Sequence, residues 1–275
     1  MLTNEELKYR EYLIEQITRN KVLNLPTYCD DFQLDYKVDT DSLICTNYKK
    51  RRKRNSFKIP DLIDEIGHNC FSQMKQLEGI EFSKNLKVIG ESAFHHDCYL
   101  YALDFNQCPD LYRIEKDAFY NCKYITSIDF EGQLSYIGDY AFYCCDSLKF
   151  INIKAPLKYL GENAFSYSTL KTVNIDSSEN LGIGSCAFYC LDGRKPDINI
   201  NANSIIFYPN ALLSMVGIKN LNLNSNRVIF YPNTVNALYC KNMTINGRDL
   251  DKEIIDELMM TQKVIMYENG IMSVV

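Results

Sequence analysis

The chain has 275 residues, 46% hydrophobic and 24% charged, with 30 basic against 35 acidic side chains and a formal net charge of −5. A chain of that make-up buries a core without disulfide or metal staples, and its acidic balance argues against a surface given over to nucleic acid. No run approaches the ~20 apolar residues of a membrane span. The polar start Met1-Leu2-Thr3-Asn4-Glu5-Glu6 does not read as a secretory signal. The 11 cysteines, an odd number without an export signal, predict free thiols in a reducing compartment. The expectation is therefore a cytoplasmic protein.

In chain order, Thr3-x-x-Glu6 forms a capping box for a helix predicted to run to about Arg19, with Leu7, Leu13, Ile14 and Ile17 toward one side. Residues 21–48 carry no firm element. Lys49, Lys50, Arg51, Arg52, Lys53 and Arg54 follow as an unbroken basic run, and mutual repulsion assigns it to a solvated loop. Phe57-Lys58-Ile59 then matches Ile80-Glu81-Phe82 at a distance of 23 residues, which places the basic run at the tip of an N-terminal hairpin. Read structurally, the run solubilises or protects a sheet edge. Read functionally, it is a nuclear-import signal in a eukaryotic host, or a contact for nucleic acid or anionic lipid.

Internal repetition dominates the rest. Six segments share the form aliphatic-x-x-x-small-Phe: Ile66…Cys70-Phe71, Ile89…Ala93-Phe94, Ile114…Ala118-Phe119, Ile137…Ala141-Phe142, Leu160…Ala164-Phe165 and Ile183…Ala187-Phe188. The Phe positions step by 23, 25, 23, 23 and 23 residues. Two diverged units carry Phe207-Tyr208-Pro209-Asn210 and Phe230-Tyr231-Pro232-Asn233. Between the turns runs L-x-x-I-x-F, as in Leu77…Ile80…Phe82 and Ile125…Ile128…Phe130, whose last positions alternate like a half-buried strand. One such unit holds too little apolar surface to fold alone, so the units must stack. The small residue before each Phe lets the backbone close in while Phe fills the column.

Ile89-Gly90-Glu91-Ser92-Ala93-Phe94 and Ile137-Gly138-Asp139-Tyr140-Ala141-Phe142 resemble the BspA-type (Treponema pallidum-type) leucine-rich repeat, L-x-x-I-x-(I/F)…(V/L)-x-x-I-G-x-x-A-F-x-x-C. The resemblance covers roughly Phe57 to Ile245. It implies a solenoid of roughly eight units with a binding role. The sequence departs from the pattern at Glu115, which replaces Gly, at Cys70, which replaces Ala, and in the two Tyr-Pro-Asn units. Family members are often called surface antigens or adhesins. Without an export signal here, only the fold and the binding role are carried over.

Leu250, Ile254, Ile255, Leu258 and Met259 follow helical spacing, and Val264–Tyr267 and Ile271-Met272 flank Glu268-Asn269-Gly270 as a hairpin. The predicted architecture is a repeat solenoid of short parallel β-strands and tight helical turns. Residues 1–56 form an N-terminal helix and cap with the basic loop, 57–246 the repeats, and 247–275 a helix and hairpin cap.

Chemistry-bearing clusters are sparse. Cys98, Cys122 and Cys145 fall where the family pattern itself has Cys. His95-His96-Asp97-Cys98 would add metal ligands, but the paired spacing of structural zinc is missing, and structural thiols are the expectation. The three histidines, His68, His95 and His96, read as satisfied turn residues. No nucleophile-elbow, phosphate-loop or zincin motif is present, so no enzyme, cofactor or metal is expected. Aligning the strands puts Glu81, Asp104, Asp129, Asn152, Asn174, Asn199, Asn222 and Thr244 in one outward line, about 4.8 Å apart per strand. Three acids repelling one another would welcome a cationic partner, and the amides either bond as a ladder or face a ligand. Glu81 through Asn222 are the predicted partner-binding residues, and the predicted function is a non-enzymatic protein-binding scaffold. The alternative is a structural component of a virion or surface layer that contacts its neighbours through the caps.

Overall fold

A computed structural model describes residues 2–22, 27–29, 31–48, 55–96, 99–101, 103–190, 196–212, 218–234, 242–250, 264–268 and 271–274. The capping box forms: Thr3 N–H donates to Glu6 Oε2 (2.6 Å) and Glu6 N–H to Thr3 Oγ1 (3.2 Å). Helix α1 spans Asn4–Val22, about a turn beyond the expected end. Leu13 and Ile17 are buried and Ile14 packs on the core, but Leu7 remains 45% exposed. Arg10 ties the helix down, its guanidinium 3.2 Å from both Asp41 Oδ1 and the buried Asp64 Oδ2.

The stretch without a sequence-based element folds into antiparallel strands, Thr27–Cys29, Phe32–Lys37 and Ser42–Tyr48. Ser42–Tyr48 then pairs in parallel with Glu65–Ile66, placing Cys45 opposite Ile66. Through this strand the antiparallel cap becomes the first rung of the solenoid.

From there the repeat spacing becomes strand register. Eight short strands, from Glu65–Ile66 through Tyr136–Ile137 to Arg227–Phe230, stack in parallel as a spine sheet, with Tyr136 opposite Arg113 and Tyr159. The longer strands of the L-x-x-I-x-F segments form a second parallel sheet. It runs from Ser127–Glu131 through Phe150–Lys154, Thr172–Asp176, Asp197–Asn201 and Asn220–Asn224 to Asn242–Ile245. Each turn is hydrogen-bonded to the next as well. Phe142 N–H donates to Ala164 O (2.8 Å), and Phe119 N–H to Ala141 O (2.7 Å). The repeat coils are thus zipped to their neighbours at the spine sheet and at the turn, and from Ser127–Glu131 onward at the second sheet as well.

Two left-handed residues bracket the turn phenylalanine from Phe71 to Phe165, at two residues before and two after, and at Phe188 the first of them, Cys186, is kept. Tyr140 (φ 57°) and Cys144 (φ 56°) flank Phe142, and Asn163 (φ 53°) and Tyr167 (φ 61°) flank Phe165. Asn210 and Asn233, both at φ 62°, keep the first of these positions in the Tyr-Pro-Asn units, so those diverged sequences retain the turn. The repeat phenylalanines form a continuous column: Phe71, Phe94, Phe119, Phe142, Phe165 and Phe188 follow one another at 5.2, 5.0, 5.0, 5.4 and 6.1 Å between ring centroids.

Both sheets close on antiparallel strands, which cover the open edge of the stack. Ile265–Glu268 pairs antiparallel with Arg227–Phe230 and with Ile271–Val274, the expected hairpin. Arg248–Asp249 folds back on Asn242–Ile245 through Asn246-Gly247, whose φ values of 52° and 73° are those of a type I′ turn. Of the expected C-terminal helix, Leu250 packs on the core and residues 251–263 lie outside the described residues.

Candidate partner-binding strand face

The alternation that buries Ile128, Ile151, Val173, Ile198 and Leu221 turns the intervening residues outward. Parallel pairing without slip lines them up: Asn152 stands opposite Asp129 and Asn174, Asn199 opposite Asn174 and Asn222, and Asn222 opposite Thr244. The side chains bond along the row. Asn152 donates to Asp129 Oδ1 (2.8 Å), Asn199 to Asn174 Oδ1 (2.8 Å), Asn222 to Asn199 Oδ1 (2.7 Å), and Thr244 Oγ1 to Asn222 Oδ1 (2.9 Å).

The same alternation, two residues to either side, turns two flanking rows outward. Asn220 donates to Asp197 Oδ1 (2.6 Å) and Asn242 to Asn220 Oδ1 (2.8 Å). On the other side Asn201 donates to Asp176 Oδ1 (2.9 Å) and Asn224 to Asn201 Oδ1 (3.4 Å). The C-terminal half of the face is therefore a grid of ordered amides. It lines a groove of about 500 Å³ bounded by Asn174, Asp176, Asn199, Asn222 and Asn224. An amide that donates one N–H along its row keeps the other for a ligand.

The N-terminal half differs from expectation. Glu81 pairs with Lys58 at 2.8 Å, which holds that ammonium above its usual pKa. Asp129 accepts from Asn152. Asp104 leaves the line altogether: it caps the short 3₁₀ turn Phe105–Gln107, accepting from Asn106 N–H (3.1 Å) and Gln107 Nε2 (3.0 Å). A short Asp side chain competing for local backbone donors favours a turn over a ladder. Here it separates the strand pair Ser56–Lys58 and Gly79–Glu81 from the longer sheet. The three acids are thus not a row of repelling carboxylates. Phe150, the first residue of its strand, is 48% exposed, and Tyr99 and Tyr124, both 51% exposed, stack at 5.5 Å.

The basic run Lys49–Arg54 lies outside the described residues, as do Asp97 and Cys98. The flanking strands Ser42–Tyr48 and Ser56–Lys58 belong to different sheets, which corrects the expected hairpin. Cys122 and Cys145 are buried, and each donates its S–H to the carbonyl of the preceding repeat's phenylalanine, Phe94 (3.2 Å) and Phe119 (3.4 Å). Burial pushes the Cys145 thiol far up. His95 stacks on Tyr120 at 4.8 Å, and burial, then His96, hold its pKa below the usual value. Among the described residues no cluster of three or more His, Cys, Asp or Glu is placed to hold a metal, and no helix is long and apolar enough to cross a membrane.

Stacked parallel coils with an Ala-Phe turn, a spine sheet and an outward strand sheet define a leucine-rich-repeat solenoid. The chain belongs to the BspA type leucine-rich repeat family, whose six-copy region matches over residues 45–171 and 112–238. A search of the curated proteins finds no match. Among solved structures, the T. pallidum leucine-rich repeat protein is similar at 20% identity, with a TM-score of 0.56 over 70% of this chain and 90% of that one. A leucine-rich cell surface protein from Faecalibacterium prausnitzii is similar at 15% identity, with a TM-score of 0.53 over 75% of this chain and 73% of that one. At these identities the likeness is one of fold.

Proposed function

We propose that the chain is a non-enzymatic scaffold that binds a protein partner through its strand face. The observation that carries the reading is the pre-ordered outward surface. Three rows of side chains are held in register by the parallel sheet, and their amides are tied by hydrogen bonds before any ligand arrives. Ordering that surface costs little on binding, because the rotamers are already fixed. The exposed Phe150 and the Tyr99–Tyr124 stack supply rigid aromatic anchors, the residue class that dominates interface energetics. Leucine-rich repeats of this family commonly mediate protein–protein interaction and typically act as non-enzymatic scaffolds, which supports the same reading.

The test is crosslinking and capture from the source cells with wild type, a Phe150→Ala/Asn199→Lys variant on the strand face, and a Lys158→Glu variant on the spine side, all verified as folded. A partner lost only with the strand-face variant supports the proposal. Equal retention by all three transfers binding to another surface. The second reading, assembly through the caps, draws on one observation. Ile271, on the strand that ends the spine sheet, is 70% exposed. Light scattering that shows concentration-dependent oligomers, abolished by Ile271→Lys, would favour it.

A further inference from the structure

Cys70 breaks the repeat pattern. Where Ala93, Ala118, Ala141, Ala164 and Ala187 precede the turn phenylalanine, the first turn has a thiol. The structure supplies the reason. Cys70 Sγ lies 3.0 Å from Sγ of Cys45, on the cap strand Ser42–Tyr48. Both residues are buried, at 5% and 0% exposure. Non-bonded carbons rest about 3.5–4.0 Å apart and sulfur is the larger atom, so this contact is short for two separate thiols. It is about 1 Å from a disulfide bond length.

We propose that Cys45 and Cys70 form a redox-responsive staple that locks the N-terminal cap to the first repeat, with a small-molecule disulfide such as oxidised glutathione as oxidant. The step balances. Two protein S–H bonds and the oxidant's S–S bond break. The Cys45–Cys70 S–S bond and two glutathione S–H bonds form, so the two electrons and two protons leave with the glutathione. Exchange passes through a mixed disulfide at one of the two cysteines, which the other then attacks as thiolate.

The surroundings favour this pair. Gly67 N–H donates to the carbonyl of Cys45 at 2.7 Å, fixing that strand against the start of the turn that carries Cys70. A Cβ on Gly67 would sit 2.9 Å from that same carbonyl oxygen, so the close approach depends on glycine. Burial holds the Cys70 thiol protonated, which makes exchange in the closed cap slow in both directions. The bond therefore forms as the cap folds onto the first repeat, and once formed it is shielded from reductant. Cys122 and Cys145, by contrast, each direct their S–H at a backbone carbonyl.

The experiment refolds the full chain in buffers of defined ratios of oxidised to reduced glutathione. Free thiols are then alkylated and the unreduced digest is mapped by mass spectrometry. The expected product is one dominant crosslinked peptide pair joining Cys45 to Cys70, two hydrogens lighter than the sum. It should form at ratios where other cysteine pairs remain alkylated, and raise the melting midpoint by about 5 °C. Cys45→Ser and Cys70→Ala, each checked as folded by circular dichroism, should both abolish the crosslink and the oxidant-dependent shift. Alkylation of both cysteines at every ratio overturns the proposal, as does a scrambled mixture of pairs, or a midpoint that responds equally in the variants.

Discussion

Asn222 donates an amide N–H to Oδ1 of Asn199 across 2.7 Å, at directly opposed positions of neighbouring parallel strands. Asn199 in turn donates to Asn174 at 2.8 Å. Each residue is acceptor for one neighbour and donor to the other, so the amide cannot be exchanged for a carboxylate at equal cost. In Asn199→Asp the bond from Asn222 survives, but the bond to Asn174 becomes a contact between two acceptors. We expect a loss of about 1 kcal/mol at pH 7 in urea titration. The new carboxyl has a folded-state pKa above its unfolded value of about 3.9, so the penalty applies above that range and shrinks as pH falls through it. Stability equal to wild type at both pH 7 and pH 4 would remove the ladder as an energetic feature.

At Gly161 the repeat turn leaves no room for a side chain, although another coil carries Glu115 at the equivalent position. A Cβ on Gly161 would lie 2.4 Å from the Asp139 nitrogen and 2.4 Å from the Gly138 carbonyl carbon, both backbone atoms of the preceding coil. Gly161→Ala must push two coils apart and is expected to cost about 3 kcal/mol. Gly79 is the control: its nearest neighbour would be Ser56 Cβ at 3.7 Å, so Gly79→Ala should stay within about 0.5 kcal/mol of wild type. Denaturant midpoints of the two variants make the comparison.

The solenoid is legible in the sequence because stacking converts spacing into register. The 23 residues between Asp129 and Asn152 are the pairing of their strands. The same logic placed Phe57-Lys58 opposite Ile80-Glu81. It failed where a residue answers to its own neighbours instead of to the stack. Asp104 occupies the ladder position by count, yet Asn106 and Gln107 offer it donors two and three residues away, and the strand gives way to a turn. The antiparallel cap was opaque because Phe32 and Leu34 have no counterparts in other repeats to reveal their register. The Cys45–Cys70 contact was opaque because only one of its members belongs to a repeat turn.

The phenylalanine column sets the scale of core energetics. Phe142 is fully buried between Phe119 (5.0 Å) and Phe165 (5.4 Å). Truncation in Phe142→Ala opens a cavity in the middle of the stack, with an expected cost of about 3–5 kcal/mol. In Phe142→Asp an unpaired carboxylate would replace the ring, and no folded protein is expected. Purified Phe142→Asp with an unchanged melting temperature would falsify the stacked-core account.

His95 begins the outer aromatic row that continues through Tyr120 and Tyr143, its ring 4.8 Å from Tyr120 and 4.3 Å from His96. Burial and the second imidazole lower its pKa in the folded state. The unfolded chain therefore binds the proton more readily, and the contribution of neutral His95 to stability is complete above its unfolded value of about 6.5 and lost as pH falls below it. We expect the melting temperature of wild type to decline between pH 7 and pH 5. His95→Tyr, which extends the row without an ionisable imidazole, should show a shallower decline. Carboxylates act in a lower window. Asp41, held below its usual pKa first by the Tyr36 hydroxyl and then by Arg10, supports the cap until the pH falls through the carboxylate range. Parallel profiles for wild type and His95→Tyr from pH 7 to 5, with Asp41→Asn less stable than both at neutral pH and the gap closing only below about pH 4, would take the histidine out of the account and leave acid sensitivity to the cap.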